Sequence, residues 1–146
     1  MPLNPQIGAD GRIIPHDDPE IAAESWLIRH INPDVHVCED ENLGRRRISS
    51  AAFSATTGDP DYGMSVDLGQ LLVGAGLSED ARVPPGFGAV RLRVARVRVL
   101  ALRIGSDPTL GAHAQHGQVW DVKSTKRSKI RQIVEGWVVE LIGVAL

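Results

Sequence analysis

The stretch spanning residues 89–104, AVRLRVARVRVLALRI, constrains the fold of this chain more than any other. Val90, Leu92 and Val94 alternate with Arg91 and Arg93, and Val97 and Val99 alternate with Arg96 and Arg98. A period of two is the pattern of a strand with one buried and one wet face. The arginines move from odd to even positions between 93 and 96. One flat strand cannot hold both halves, because a one-residue slip turns every side chain to the other face. A bulge or tight bend near Val94-Ala95 reconciles them. A second slip follows at Val99-Leu100, where the apolar set becomes Leu100, Leu102 and Ile104. The expectation is one long bent strand or two adjoining ones. No proline protects this stretch, so it can also serve as an edge for a homo-oligomer.

The remaining elements follow from local signals. Residues 1–16 read as an extended arm, with turns at Asn4-Pro5 and Ala9-Asp10-Gly11. Asp17 or Asp18, then Pro19 and Glu20, predict a helix over 19–31, ended by Asn32-Pro33. Val35 to Cys38 and Ile48 to Phe53 read as short strands, and residues 56–63 as a Gly/Asp/Pro loop. Met64-Ser65-Val66 reads as a strand. Asp67 or Ser65 then caps a helix carrying Leu68, Leu71 and Leu72. Residues 78–88 form a second loop and 105–111 a turn on Ser106-Asp107-Pro108. A strand lies within 112–122. Ser124 or Thr125 caps a basic helix to about Glu135, with Ile130, Ile133 and Val134 as its apolar stripe. Residues 137–142 return to the sheet. The sum is one α+β domain over 1–146, with a bent, mainly antiparallel sheet of five or six strands and about three helices.

Composition narrows the class. At 146 residues the chain is long enough for a real core. Aromatic residues make up only 4%, which argues against a stacking platform for single-stranded nucleic acid. Cys38 is the sole cysteine, so no intramolecular disulfide forms, as suits a reducing cytoplasm. The first residues lack the basic and apolar regions of a signal peptide. No apolar run approaches the ~20 residues of a membrane-spanning helix. A soluble, cytoplasmic protein is expected.

The net charge of −2 conceals an asymmetry. Residues 1–81 hold five Lys/Arg against fourteen Asp/Glu, whereas residues 82–146 hold eleven against four. Either the two halves fold together and neutralise each other, or the basic half meets an anionic partner, protein or nucleic acid. The surface for such a partner is Arg91, Arg93, Arg96 and Arg98 with Lys126, Arg127, Lys129 and Arg131. Several phosphates can be contacted at once if the two groups align.

A second constellation gathers Arg47, Ser49, Ser50, Ser65 and Asp67. An arginine fork with hydroxyls suits a phosphate or carboxylate. These residues also carry a resemblance. Arg47, Ser49, Ser50 and Phe53, then Ser65, Val66 and Asp67, then Asp107, Pro108, Ala112, His113 and Ala114 resemble the R-x-S-S-x-x-F, S-V-D and P-A-H-A pattern of an uncharacterised family of small bacterial proteins. Gly111 departs from the family's proline. The resemblance implies no activity. An Arg followed by a Ser-bearing strand and a helix is also similar to ADP-ribosyltransferase-like folds, which add a late glutamate. Glu135 and Glu140 are available, neither in a motif.

His113 is the candidate general acid/base, with Ser50 beside it as the second candidate catalytic group. His113-x-x-His116 and His36-x-Cys38 lack the further ligands that a structural metal site needs. No metal or cofactor is expected. Two functions follow. The first is an accessory module that binds an anionic partner through the basic half. The second is a small enzyme for a nucleotide- or NAD-like substrate, with Arg47 as clamp, Ser50 and Ser65 positioning, and His113 moving the proton.

Overall fold

The computed structural model describes residues 5–56, 62–109 and 113–146. The predicted loop at 56–63 lies mostly outside the described residues, as do Gly111 and Ala112. The chain is α+β. Its elements are β1 (Trp26–Ile31), β2 (Val37–Asp40), β3 (Arg45–Ile48), β4 (Met64–Leu68), α1 (Gly69–Gly74), β5 (Gly88–Arg93), α2 (Val94–Val99), β6 (Arg103–Ser106), β7 (His116–Trp120), α3 (Arg127–Gln132), β8 (Trp137–Val139) and β9 (Val144–Ala145). Six strands form an antiparallel sheet in the order β6-β7-β4-β1-β5-β8, and β2-β3-β9 form a small second sheet.

The helix expected over 19–31 is instead a run of turns followed by β1. Asp18 does cap the Glu20 amide, at 2.9 Å, but the Ile21 and Ser25 amides then bond back to Asp18 and Ala22 as turns. The apolar run misled because β1 is central. Leu27, Ile28 and Ile31 are buried on both faces, and a doubly covered strand has no alternation to read.

The bent strand expected over 89–104 is strand, helix and strand. The arginine phase changes where β5 becomes α2. Within α2 the buried pair is Val94 and Val97, three apart as a helix requires, while Val99 is 84% exposed. The stretch offers little edge to a second copy. β5 is interior, and edge strand β6 is covered by the arm, with the Asp18 amide on the Ile104 carbonyl at 2.8 Å.

Two smaller corrections concern the Ser-rich motif and α1. The strand expected over 48–53 ends at Ile48, and residues Ser50–Phe53 form a 3-10 turn capped by the Ser49 hydroxyl on the Ala51 amide at 3.1 Å. α1 starts from Leu68 with no side-chain cap, so neither Asp67 nor Ser65 caps it. The basic helix likewise opens without its Ser124 cap, as a 3-10 turn running into α3.

The two faces of the large sheet are unequally covered. Leu27, Ile31, Val66, Leu68, Val90, Leu92, Ile104 and Val119 form the main core with Phe53, α2 and Ile130 of α3. The opposite face buries a smaller cluster of Ile28, Ala89 and Leu72 of α1. The less covered face leaves room for a polar site. Among the described residues no helix is long and apolar enough to cross a membrane.

Candidate active site

β4 alternates. Met64, Val66 and Leu68 are buried in the main core, which sends Ser65 and Asp67 to the other face. Asp67 is deeply buried there, its side chain 2% exposed. A carboxylate withdrawn from water requires partners. His30 Nε2 donates to its Oδ2 at 2.6 Å, and His113 Nε2 donates to its Oδ1 at 3.0 Å. Register explains the convergence. Ile28 of β1 and His116 of β7 are both paired with Asp67, so His30 and His116 lie on the same face, on the strands flanking β4.

The hydrogen bonds fix the ring tautomers. The Gln115 amide donates to His113 Nδ1 at 3.1 Å, so that nitrogen carries no proton and His113 is neutral. Burial lowers its pKa further, opposed by Asp67 and reinforced by Arg82. Both His113 nitrogens are therefore engaged. His30 differs, since Nε2 faces Asp67 and Nδ1 has no partner among the described residues. His116 donates its Nδ1 proton to the Asp107 carbonyl at 2.7 Å, and its Nε2 has no partner among the described residues. The Asp107 side chain anchors this loop. Burial alone would raise its pKa, but hydrogen bonds from Thr109 and Gln118 outweigh it and lower the value.

Two arginines complete the site. Arg29 donates Nε to the Ala52 carbonyl and Nη1 to the Ser65 carbonyl, both at 2.8 Å. Burial lowers its pKa to about 10, so it stays charged at neutral pH. The burial of His36, helped by the Arg29 charge, pushes the His36 pKa down to about 4. Arg82, from the loop between α1 and β5, donates Nε to Gln115 Oε1 at 3.0 Å. Arg29, His30, Ser65, Asp67, Arg82 and the two later histidines line a cavity of about 140 Å³. The Ser65 hydroxyl shares a 3.1 Å hydrogen bond with Thr56.

Of the residues singled out in the sequence, Ser65, Asp67 and His113 line this cavity. Arg47, Ser49 and Ser50 do not. Arg47 lies on β3 and pairs with Asp40 at 3.1 Å, Ser49 caps the 3-10 turn, and Ser50 opens that turn. Sequence reading missed Arg29 and His30, which were hidden inside a segment read as helix. It also missed Arg82, in a loop without a motif. It met His116 only as a metal-ligand candidate. The signal for His30 was available in principle, as Arg29-His30 beside an apolar strand.

The basic half is largely occupied by its own chain. Arg91 lies 3.7 Å from Glu79, Arg93 3.7 Å from Glu135 and Arg96 3.8 Å from Glu135. Arg93 also stacks on Trp26 at 3.8 Å. Arg98 binds Asp17 and the carbonyls of Asp18 and Ile21, and Lys126 binds the Leu100 carbonyl. Arg127, Lys129 and Arg131 make no ion pair among the described residues. A larger groove of about 580 Å³ runs along the arm, but its charged residues Asp10 and Arg12 pair with each other at 2.8 Å.

No protein-family model, curated protein or solved structure matches the chain.

Proposed function

We propose that the protein is a small enzyme whose cavity binds a phosphate-bearing, nucleotide-like anion and moves protons through histidine. The observation that carries this reading is the buried Asp67 with a histidine Nε2 on each carboxylate oxygen, walled by two arginines. A carboxylate that orients an imidazole is a recurrent device of acid–base sites. His30 and His116 are the proton-transfer groups, since each keeps one nitrogen without a described partner. Arg82 takes the anion-clamping role, Arg29 supports the wall by holding the Ala52 and Ser65 carbonyls, and Ser65 positions the substrate. His113 is a positioning residue because it holds Asp67. At about 140 Å³ the cavity is smaller than the ~300–1,000 Å³ of drug-sized sites, so it takes one group of a larger substrate.

Recognition of an anionic protein or nucleic acid through the basic half is the weaker reading. Four of its arginines, Arg91, Arg93, Arg96 and Arg98, are already held by glutamates, an aspartate and backbone carbonyls of the chain itself.

The test is a thermal-shift series with inorganic phosphate, mononucleotides and NAD, and with short RNA and duplex DNA as polyanions. Wild type, Arg82→Gln and Arg47→Ala are compared. Saturable stabilisation that Arg82→Gln loses and Arg47→Ala keeps supports the cavity. Stabilisation by polyanions alone, erased by salt and equal in all three proteins, favours the basic half.

A further inference from the structure

The free groups of the cavity narrow its chemistry. Asp67 is engaged in holding the site, since each of its oxygens accepts a histidine N–H bond and its side chain is 2% exposed. What remains is two imidazole nitrogens, guanidinium N–H groups and a serine hydroxyl. The two imidazoles come from β1 and β7, on either side of β4, so they approach a ligand over β4 from opposite sides. Their ring partners differ. His30 faces a carboxylate, which pairs with the charge of a doubly protonated ring. His116 faces a carbonyl, which holds a proton on Nδ1 and leaves the Nε2 lone pair outward. A proton donor and a proton acceptor on opposite walls of a cavity that Arg82 also lines is the arrangement that in-line phosphoryl transfer needs.

We infer that the site cleaves RNA phosphodiesters by internal transphosphorylation, an inference that rests on the phosphate-site reading above. The ribose 2′-oxygen attacks phosphorus and its proton passes to His116 Nε2. The P–O5′ bond breaks and His30 Nδ1 gives its proton to the leaving O5′. The products are a 2′,3′-cyclic phosphate and a free 5′-hydroxyl, with nothing oxidised or reduced. Water then opens the ring by the reverse proton path: His30 Nδ1 accepts the water proton, His116 Nε2 protonates the departing 2′-oxygen, and both rings return to their starting states. Arg82 meets the charge on the phosphoryl oxygens, while Arg29 stays bound to the Ala52 and Ser65 carbonyls. The described lining of the cavity holds no Phe, Tyr or Trp to stack a base, so the expected cleavage does not depend on base identity.

The test incubates the full chain with a single-stranded RNA oligonucleotide in EDTA, and with its all-deoxy counterpart. Cyclic-phosphate ends from RNA, none from DNA, and a loss of about 10²-fold or more in His30→Asn and His116→Asn support the inference. Arg82→Gln, on an exposed loop, is the variant least able to disturb folding and also loses turnover. RNA left intact while phosphate still stabilises the protein overturns transphosphorylation and leaves the phosphate site standing. No cleavage and no stabilisation overturn both. Cleavage retained in both histidine variants overturns the assignment of the site.

Discussion

Asp67 and His30 are joined at 2.6 Å across the seam between β4 and β1, where backbone pairing is confined to Leu27 with Leu68 and Ile28 with Asp67. The side-chain bond holds the two strands together at the cavity, just beyond the last backbone pair. The same carboxylate reaches the loop before β7 through His113. One buried group thus ties three parts of the sheet, and its removal has structural as well as chemical consequences.

Asp67→Ala leaves two imidazole N–H donors without an acceptor. At about 1–3 kcal/mol for each orphaned donor, the expected loss is roughly 2–6 kcal/mol. Urea denaturation measures it, and a change below about 0.5 kcal/mol would show that these bonds contribute little to the native state. Asp67→Asn is milder, because the amide accepts from one ring but presents its own N–H to the other.

Stability falls on mild acidification. His36 titrates at about 4 in the folded chain against 6.5 for an ordinary histidine, and His113 is shifted in the same direction. A lowered histidine pKa means that the unfolded chain takes up the proton first. The contribution is complete above about pH 6.5 and is lost as the pH falls towards 4. Melting temperature against pH should decline through that window. His36→Gln should flatten the decline, and an unchanged slope would exclude His36 as a main contributor.

Arg98 and Arg96 are predicted to differ sharply. Arg98 holds the Asp18 and Ile21 carbonyls at 2.7 and 2.9 Å and so pins the turns before β1 to α2. Arg98→Ala should cost roughly 1–3 kcal/mol, much of it insensitive to salt. Arg96, half exposed with Glu135 at 3.8 Å, should cost about 0–1 kcal/mol, vanishing in high salt. Equal losses in the two variants would contradict this division.

Gly69→Ala should destabilise by about 1–3 kcal/mol. A Cβ there would sit 2.7 Å from the Trp26 carbonyl, and backbone cannot move aside as a flexible side chain can. Differential scanning calorimetry would detect the change, and a neutral result would mean that α1 shifts on β1.

Much of the fold class was legible, because strand alternation and turn residues survive in short segments. The failures share a cause. β1 and α2 were misread because each is defined by what packs on it. β1 lost its alternation by being covered on both faces, and α2 borrowed the look of a strand from its interleaved arginines. The site was half legible. Ser65, Asp67 and His113 drew attention by residue type, but Arg29, His30 and His116 become neighbours of Asp67 only through strand register. Arg47 and the Ser49-Ser50 pair drew attention for the same reason, yet serve the small sheet and a 3-10 turn.

The interior position of β1 has a kinetic consequence. Its partners β4 and β5 lie far along the chain, and β7 must then dock on β4 before His113 and His116 meet Asp67. Such long loops close late, so the cavity forms near the end of folding rather than in an early local unit. Partly folded chains would therefore be inert. Recovery of ligand binding after dilution from denaturant should lag behind the return of secondary structure, and should coincide with the final cooperative phase.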